Sequence, residues 1–337
     1  ATFTKGEIVK ARDVYVPVAA RGSLLFFAMA GLPMLFDPLT GMTFSIYEVS
    51  LDSYLKVFNT SLDRAPKAMN LQQRLGSMIK SMTEMVYDYT CTGIFETHKL
   101  MFSVQMTTMI MEERGTLDRP MLDFFLKGDT SIDEPKVAKH PNTDFISNAG
   151  WKDVCFLQEG GGSEQAKEVF ANLCEEVKKN VDAWGDWYGL EAPEAAPYPC
   201  GYSDKLNALQ KLCLMRCFRP DRVYNGAKLF VIDQIGEKFV QPPVLNYERI
   251  YAQSSATTPM IFILSPGADP QADIQRLGDG LGFSGNKFRY VALGQGQGPV
   301  ATQLLDSGST RGYWVLLQNC HLMISWLKAL EAKLQSM

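Results

Sequence analysis

The segment Thr258-Pro-Met-Ile-Phe-Ile-Leu-Ser-Pro-Gly-Ala-Asp-Pro270 constrains this chain more than any other: an apolar run that reads as a buried strand, then a turn, then the start of a helix. That order is the frame of a phosphate-binding loop, in which a strand leads through G-x-x-x-x-G-K-[ST] into a helix whose N-terminus faces the phosphates. Placed without gaps, Ser265 takes the first Gly position, Pro270 the second, Gln271 the Lys and Ala272 the Ser/Thr. The frame is present and its chemistry is not. Gln271 cannot neutralise phosphate, and Ala272 has no hydroxyl for Mg²⁺. Pro270 removes a backbone donor, while Asp269, two residues after Gly267, adds negative charge where phosphates would lie. Each lost charge-assisted hydrogen bond is worth about 1.5–3 kcal/mol, so losing two or three weakens binding by orders of magnitude.

Beyond Tyr251 the pattern alternates. Strands are expected over 260–264, 288–293 and 313–318, and helices over 269–281, 300–307 and 322–334. Such alternation with short connections implies part of a parallel sheet with right-handed crossovers. The third strand ends in Gln318-Asn319, where many ATPases of this kind carry Asp-Glu. An amide can neither act as a general base nor charge a metal site. Either stretch alone is compatible with an ordinary strand end. Together, and in this order, they point to a nucleotide-binding fold put to another use.

Two further motifs have plainer readings. Gly294-Gln-Gly-Gln-Gly298-Pro299 has Pro where a dinucleotide fingerprint needs its third Gly, so it reads as a tight turn with Pro299 opening a helix. Cys320 and His321 are sequence neighbours whose side chains point apart, with no orienting acid.

From Pro17 to about Ile250 the chain reads mainly as helix. Leu71, Leu75, Met78, Ile79, Met82, Met85, Val86 and Tyr89 trace one face of a 3.6-residue period. A second helix is expected from His98 to Met111, with Met101, Met106, Met109 and Met111 as adaptable core filler. Ser163 should cap a third that buries Ala166, Val169, Phe170, Leu173, Val177, Val181 and Trp184. Another is expected from Asp204 to Phe218, and Arg219-Pro-Asp-Arg222 then starts a new one, with the arginines in ion pairs. The proline-rich stretch from Glu191 to Tyr202 marks the expected boundary between a helical part and the rest. The apolar run Leu24–Phe36 is interrupted by Gly31 and Pro33 and is too short for a membrane span of ~20 residues, so it reads as a buried helix.

Composition closes off other classes. With 33 basic and 37 acidic residues interspersed along 337, no basic stripe advertises nucleic acid or an anionic membrane. Seven scattered cysteines without C-x-x-C fit buried thiols in a reducing compartment, and the three histidines are not at metal-ligand spacing. The chain begins on a charged helical stretch without Met and ends directly after its last helix, so it reads as a segment of a longer polypeptide.

These blocks resemble the dynein heavy chains, the axonemal forms above all. The resemblance rests on Tyr15-Val-Pro-Val-Ala-Ala-Arg-Gly-Ser23 with Leu24-Leu-Phe-Phe27, on Gly93-Ile-Phe-Glu-Thr-His-Lys-Leu100, and on Arg219-Pro-Asp-Arg222. It is strongest in Thr258–Pro270, Gly282-Phe-Ser-Gly285, Leu293-Gly-Gln-Gly-Gln-Gly-Pro299 and Trp314-Val-Leu-Leu-Gln-Asn-Cys-His-Leu322. It implies an α/β chain: a mainly helical N-terminal part followed by a partial parallel-sheet, P-loop-like AAA+ domain. Residues 1–12 would be the base of a coiled-coil buttress, 13–200 the small helical part of a fifth AAA+ module with its connection, and 201–337 the start of the large part of a degenerate sixth.

The same resemblance implies no catalytic residue and no cofactor in this segment, with ATP and Mg²⁺ bound elsewhere in the parent chain. Its partners would be neighbouring modules, buttress and stalk of the same heavy chain, microtubules through that chain, and intermediate and light chains, in the axoneme of a cilium or flagellum. The expected function is a non-hydrolysing structural and mechanical relay in an ATP-driven motor. The rivals are an autonomous P-loop-like NTPase using Lys287 or Arg289 for phosphate, and a static scaffold.

Overall fold

Packing divides the chain into two compact units, Ala1–Pro243 and Val244–Met337. A computed structural model describes residues 12–32, 34–37, 42–45, 47–128, 137–241, 246–254, 259–264 and 267–336. Almost all of the charged start at 1–12 lies outside them.

In the first unit, α1 (Val16–Ala30) opens with Pro17 in its first turn, where a missing N–H costs nothing, and stops at Gly31. Two short strands follow, β1 (Met34–Asp37) and β2 (Met42–Ser45), paired antiparallel from Met34↔Ser45 to Asp37↔Met42. The run Leu24–Phe36 is therefore not one buried helix. Its helical half ends at Ala30 because Gly31 is a weak helix former and Pro33 disfavours helical geometry at the residue before it.

Next come α2 (Leu51–Arg64) and α3 (Leu71–Gly93), capped by Ser50 and Asn70, whose side chains accept from Ser53 N–H and Gln73 N–H. The α3 stripe packs through Leu75, Met78, Met82 and Val86, while Leu71 stays exposed in the first turn. Toward its end the buried face widens to Tyr87, Thr90 and Cys91. On α4 (Glu96–Glu113), Met106 and Met111 are buried and Met109 half-buried, but Met101 faces outward and fills nothing.

After α5 (Arg119–Lys127) and α6 (Asn148–Gln158), the helix expected behind Ser163 is three pieces: α7 (Glu164–Phe170), α8 (Leu173–Lys179) and α9 (Val181–Tyr188). The breaks fall at Asn172 and Asn180; the short Asn180 amide competes for a backbone group, its Nδ2 donating to Glu176 O at 2.9 Å. The expected Asp204–Phe218 helix is likewise split into α10 (Tyr202–Lys205) and α11 (Ala208–Phe218), because Asn207 and Gln210 form a reciprocal capping box. A 3₁₀ turn, Pro220–Arg222, leads into α12 (Val223–Ile235).

The proline-rich stretch is not where packing divides. Across it the Trp184 ring stacks on Phe218 at 4.8 Å between centroids, and Trp187 meets Tyr198 at 5.0 Å. A single core runs from α1 through α12. Ion pairs between distant elements tie that core together: Arg21 to Glu113, Arg216 to Asp153, Arg222 to Glu194, and Lys238 to Asp88 at 3.2 Å. Arg219 grips Asp221 and also donates to Tyr188 O and Leu190 O at the end of α9, so the expected ion-pairing of both arginines is met.

The Ala-Arg-Gly-Ser block of α1 has a physical reason. Arg21 is buried, bonding Glu113 through Nε at 2.8 Å and Thr83 Oγ1 at 3.3 Å, so one guanidinium joins α1, α3 and α4. Beside it, a Cβ on Gly22 would lie 2.7 Å from Phe58 Cε2, and Gly22 O accepts from the Tyr54 hydroxyl.

The second unit contains α13 (Tyr247–Gln253), α14 (Gln271–Gly280), β3 (Phe288–Ala292), α15 (Gly298–Arg311), β4 (Trp314–Gln318) and α16 (Ile324–Ser336). β3 and β4 are parallel, in register from Phe288↔Trp314 to Ala292↔Gln318. Pro299 sits in the first turn of α15, as expected. The predicted strand at Met260–Leu264 does not form. Ile261 and Ile263 are 81% and 77% exposed, and Phe262 alone turns inward, 6.1 Å from the Tyr247 ring. An apolar run becomes a strand only when a neighbour completes its ladder, and among the described residues none pairs with it.

Replacing Arg21 with Leu should lower unfolding stability by about 2 kcal/mol, since the buried Thr83 hydroxyl and the partly exposed Glu113 carboxylate lose a partner. Adding Glu113→Gln should recover part of that loss. Urea denaturation followed by tryptophan fluorescence checks both, and equal stability of Arg21→Leu and the parent chain would contradict the reading.

Candidate functional site: a nucleotide cradle filled by its own side chains

The site is assembled by the β3–β4 ladder and by α14. Ligands of open parallel sheets bind beyond the carboxyl ends of the strands, and here that end is marked by Ala292 and Gln318. The ladder continues one step further, with Leu293 N–H donating to Gln318 O at 2.8 Å. Behind it Val291, Leu293 and Ala301 form a small core, with Leu304, Leu317, Met323 and Trp326 packed around it. Gly298 lets α15 pass close to Trp326, since a Cβ there would lie 3.0 Å from the indole Cδ1. Trp314 anchors the opposite end, 5.0 Å from both Tyr251 and Phe283.

Of the loop positions, Ser265 lies outside the described residues. Gly267 has a left-handed φ of +83° and is exposed, a conformation that suits Gly. Pro270 is the N-cap of α14 and offers no N–H. Asp269 Oδ1 accepts from Gln271 N–H at 3.0 Å, so a carboxylate of this chain occupies the donor that a phosphate would need. Ala272 is exposed beside it.

Gln271 and Gln318, taken from two separate motifs, meet directly: Gln318 Nε2 donates to Gln271 Oε1 at 2.7 Å. An active cradle holds a Lys ammonium and a metal-supporting Asp at these two places, with nucleotide and metal between them. The amide pair spans that distance with one short neutral hydrogen bond. Sequence reasoning did not pair these two positions; the signal that could have done so is that both carry the same neutral amide.

Asn319 departs in backbone as well as side chain. Its φ is +56° and ψ +37°, and it turns the chain from β4 into a 3₁₀ turn at Cys320–Leu322. Asn tolerates the left-handed region, whereas a larger L-residue is strained there. Cys320 is half-buried, and burial raises its thiol pKa. His321 is exposed, and no contact between the two is recorded among the described residues.

The alternative phosphate ligands lie elsewhere. Lys287 precedes β3 and Arg289 is its second residue, so Arg289 sits three residues, roughly 10 Å, before the carboxyl end where a nucleotide would bind. It is exposed and donates to Asn286 Oδ1 at 3.1 Å. Among the described residues, no group of three or more His, Cys, Asp or Glu side chains is arranged to hold a metal ion.

Residues 255–337 match the family model described as the dynein heavy chain region D6 P-loop domain. Over 98% of its length the chain is 48% identical to the Dynein-1-alpha heavy chain of the flagellar inner arm I1 complex of Chlamydomonas reinhardtii. The chain belongs to the axonemal dynein heavy chains. It is also 40% identical to human Dynein axonemal heavy chain 10 over 99% of its length, and 34% identical to human Dynein axonemal heavy chain 2 over 95%. It spans about 7% of the length of each of these relatives. Axonemal heavy chains are cytoskeletal proteins of cilia and flagella, and this dynein segment is located with them.

The geometry of this dynein segment makes a direct prediction at Asn319. Asn319→Gly should leave stability unchanged or raise it slightly, while Asn319→Glu, which supplies the carboxylate of an active site, should cost about 1 kcal/mol. Differential scanning calorimetry of the two variants checks this, and a stabilised Asn319→Glu would contradict the left-handed assignment.

Proposed function

We propose that this segment is a non-hydrolysing structural and mechanical relay within the AAA+ ring of a microtubule-based, ATP-driven motor. The single observation that carries the proposal is the hydrogen bond between Gln271 and Gln318, which replaces two charged contacts to nucleotide and metal with one contact between side chains of the chain itself. Asp269, bonded to Gln271 N–H, supports it from the loop side. No cofactor is proposed at this site, and ATP and Mg²⁺ would act elsewhere in the parent chain.

On this reading 1–12 is the base of the buttress, 13–200 belongs to the small part of the fifth module and its connection, and 201–337 opens the degenerate sixth. The compact first unit runs on to Pro243, past that join. Packed helices on either side of residue 200 share one core, and Arg222–Glu194 and Arg219 with Tyr188 O cross the join. A body of that kind transmits displacement as a whole, because packed interfaces shift between discrete arrangements rather than bend. Its partners would be the neighbouring modules, buttress and stalk of the same heavy chain, with microtubules and the intermediate and light chains reached through the parent assembly.

A relay and a static scaffold differ in motion. In a full-length heavy chain, spin labels on α1 and α11 should keep one separation through the ATPase cycle, while the distance from either to a label on the neighbouring module changes between ATP-bound and ADP-bound states. Double electron–electron resonance measures both. If no intermodule distance changes, the segment is a scaffold; if the α1–α11 distance changes, the rigid-body account fails.

A further inference from the structure

Cys155 on α6 and Cys174 on α8 are buried side by side, with the Cys174 thiol donating to Cys155 Sγ at a sulfur–sulfur distance of 3.6 Å. That is van der Waals contact, and closing to a disulfide of about 2.05 Å needs only a shift of roughly 1.5 Å shared between two side chains. α8 is held to α6 at this point by a second bond, Gln158 Oε1 accepting from Cys174 N–H at 2.9 Å. Three of the other five thiols are occupied differently: Cys213 donates to Met121 O, Cys217 to Cys213 O and Cys320 to Leu317 O.

The seven cysteines also differ in acidity. Burial raises Cys91, Cys200, Cys213, Cys217 and Cys320, and Cys174 is raised by its bond to Cys155. Cys155 is lowered, first by the hydrogen bond from Cys174 and also by attraction to Lys178, against the opposing effect of its burial. Cys155 is the more acidic sulfur of a pair in contact, the order in which a nucleophilic sulfur stands next to its resolving partner.

We infer that Cys155 and Cys174 form an oxidation site whose oxidant is hydrogen peroxide, and whose product is a reversible disulfide between α6 and α8. In the first step the Cys155 thiolate attacks one peroxide oxygen. The O–O bond breaks, Cys155 becomes a sulfenic acid, and the other oxygen leaves as hydroxide. In the second step the Cys174 sulfur attacks Cys155 Sγ, the S–OH bond breaks, and the hydroxyl leaves with the Cys174 proton as water. The sulfurs are oxidised by two electrons in all and one peroxide is reduced. Burial of the two residues, at 3% and 1% exposure, makes the reaction slower than that of a free thiol and reserves it for moments of local opening. The disulfide closes a loop through Gly160–Gly162 and α7, and fixes two helices of the first unit to each other.

The test uses the whole 337-residue chain. It is incubated with hydrogen peroxide, unfolded with N-ethylmaleimide present, digested without reductant and analysed by mass spectrometry. Reactive thiols should fall from seven to five, with one cross-linked peptide joining Cys155 to Cys174. Dithiothreitol should restore all seven, and the melting temperature of the oxidised chain should be higher by roughly several degrees. Cys174→Ser should leave a Cys155 sulfenic acid that dimedone traps, and Cys155→Ser should leave Cys174 unmodified. Seven free thiols after peroxide, a disulfide between any other cysteines, or no dimedone adduct in Cys174→Ser would overturn the assignment.

Discussion

The parallel register of β3 and β4 is the constraint on which the second unit depends. Pairing Phe288 with Trp314 and Ala292 with Gln318 sets Trp314 at one end of the ladder, where Tyr251 and Phe283 gather on it, and Gln318 at the other. A slip of one residue would send every side chain of β4 to the opposite face and part Gln318 from Gln271. Because the register holds, two glutamines from motifs 47 residues apart share one hydrogen bond. The meeting of the two motifs is thereby a product of strand register as well as of residue types.

The first unit rests on a different device. Its core is helical and rich in aromatic rings, with Trp184 stacked on Phe218 near its centre. Ion pairs cross that core between elements far apart in sequence, Arg21 to Glu113 and Lys238 to Asp88 among them. Each of these pairs joins a largely buried group to a partly exposed partner and contributes little net stability, because desolvating the buried charge offsets much of the attraction. What they add here is alignment: a guanidinium that must satisfy Glu113 and Thr83 together fixes how α1 lies against α3 and α4. Fixed alignment is what separates a body that transmits displacement from one that absorbs it.

Much of this was legible in the sequence where a local signal had a local cause. The periodic face of α3, the cap at Ser163, Pro299 at the start of α15, and both strands of the ladder follow from spacing and capping chemistry. Expectations failed where a competing local contact or a missing neighbour decided. Asn180 and the Asn207–Gln210 box cut long helices into short ones, and Gly31 ended a helix that hydrophobicity alone would continue. Met260–Leu264 has the composition of a buried strand, yet strand formation belongs to a pair of segments, and one segment cannot announce its partner. At the site, the sequence shows amides at Gln271, Gln318 and Asn319 where an active phosphate site carries charged groups. The Gln271–Gln318 contact and the left-handed Asn319 emerged only with the backbone in place.

The central claim is that this cradle is closed to nucleotide by its own side chains. Isothermal titration of Mg-ATP and Mg-ADP into the 337-residue chain tests it most directly. The account predicts no saturable binding heat up to millimolar nucleotide, with the Gln271 and Gln318 side-chain amide resonances unmoved in a parallel NMR titration. Micromolar binding that shifts those resonances would contradict it.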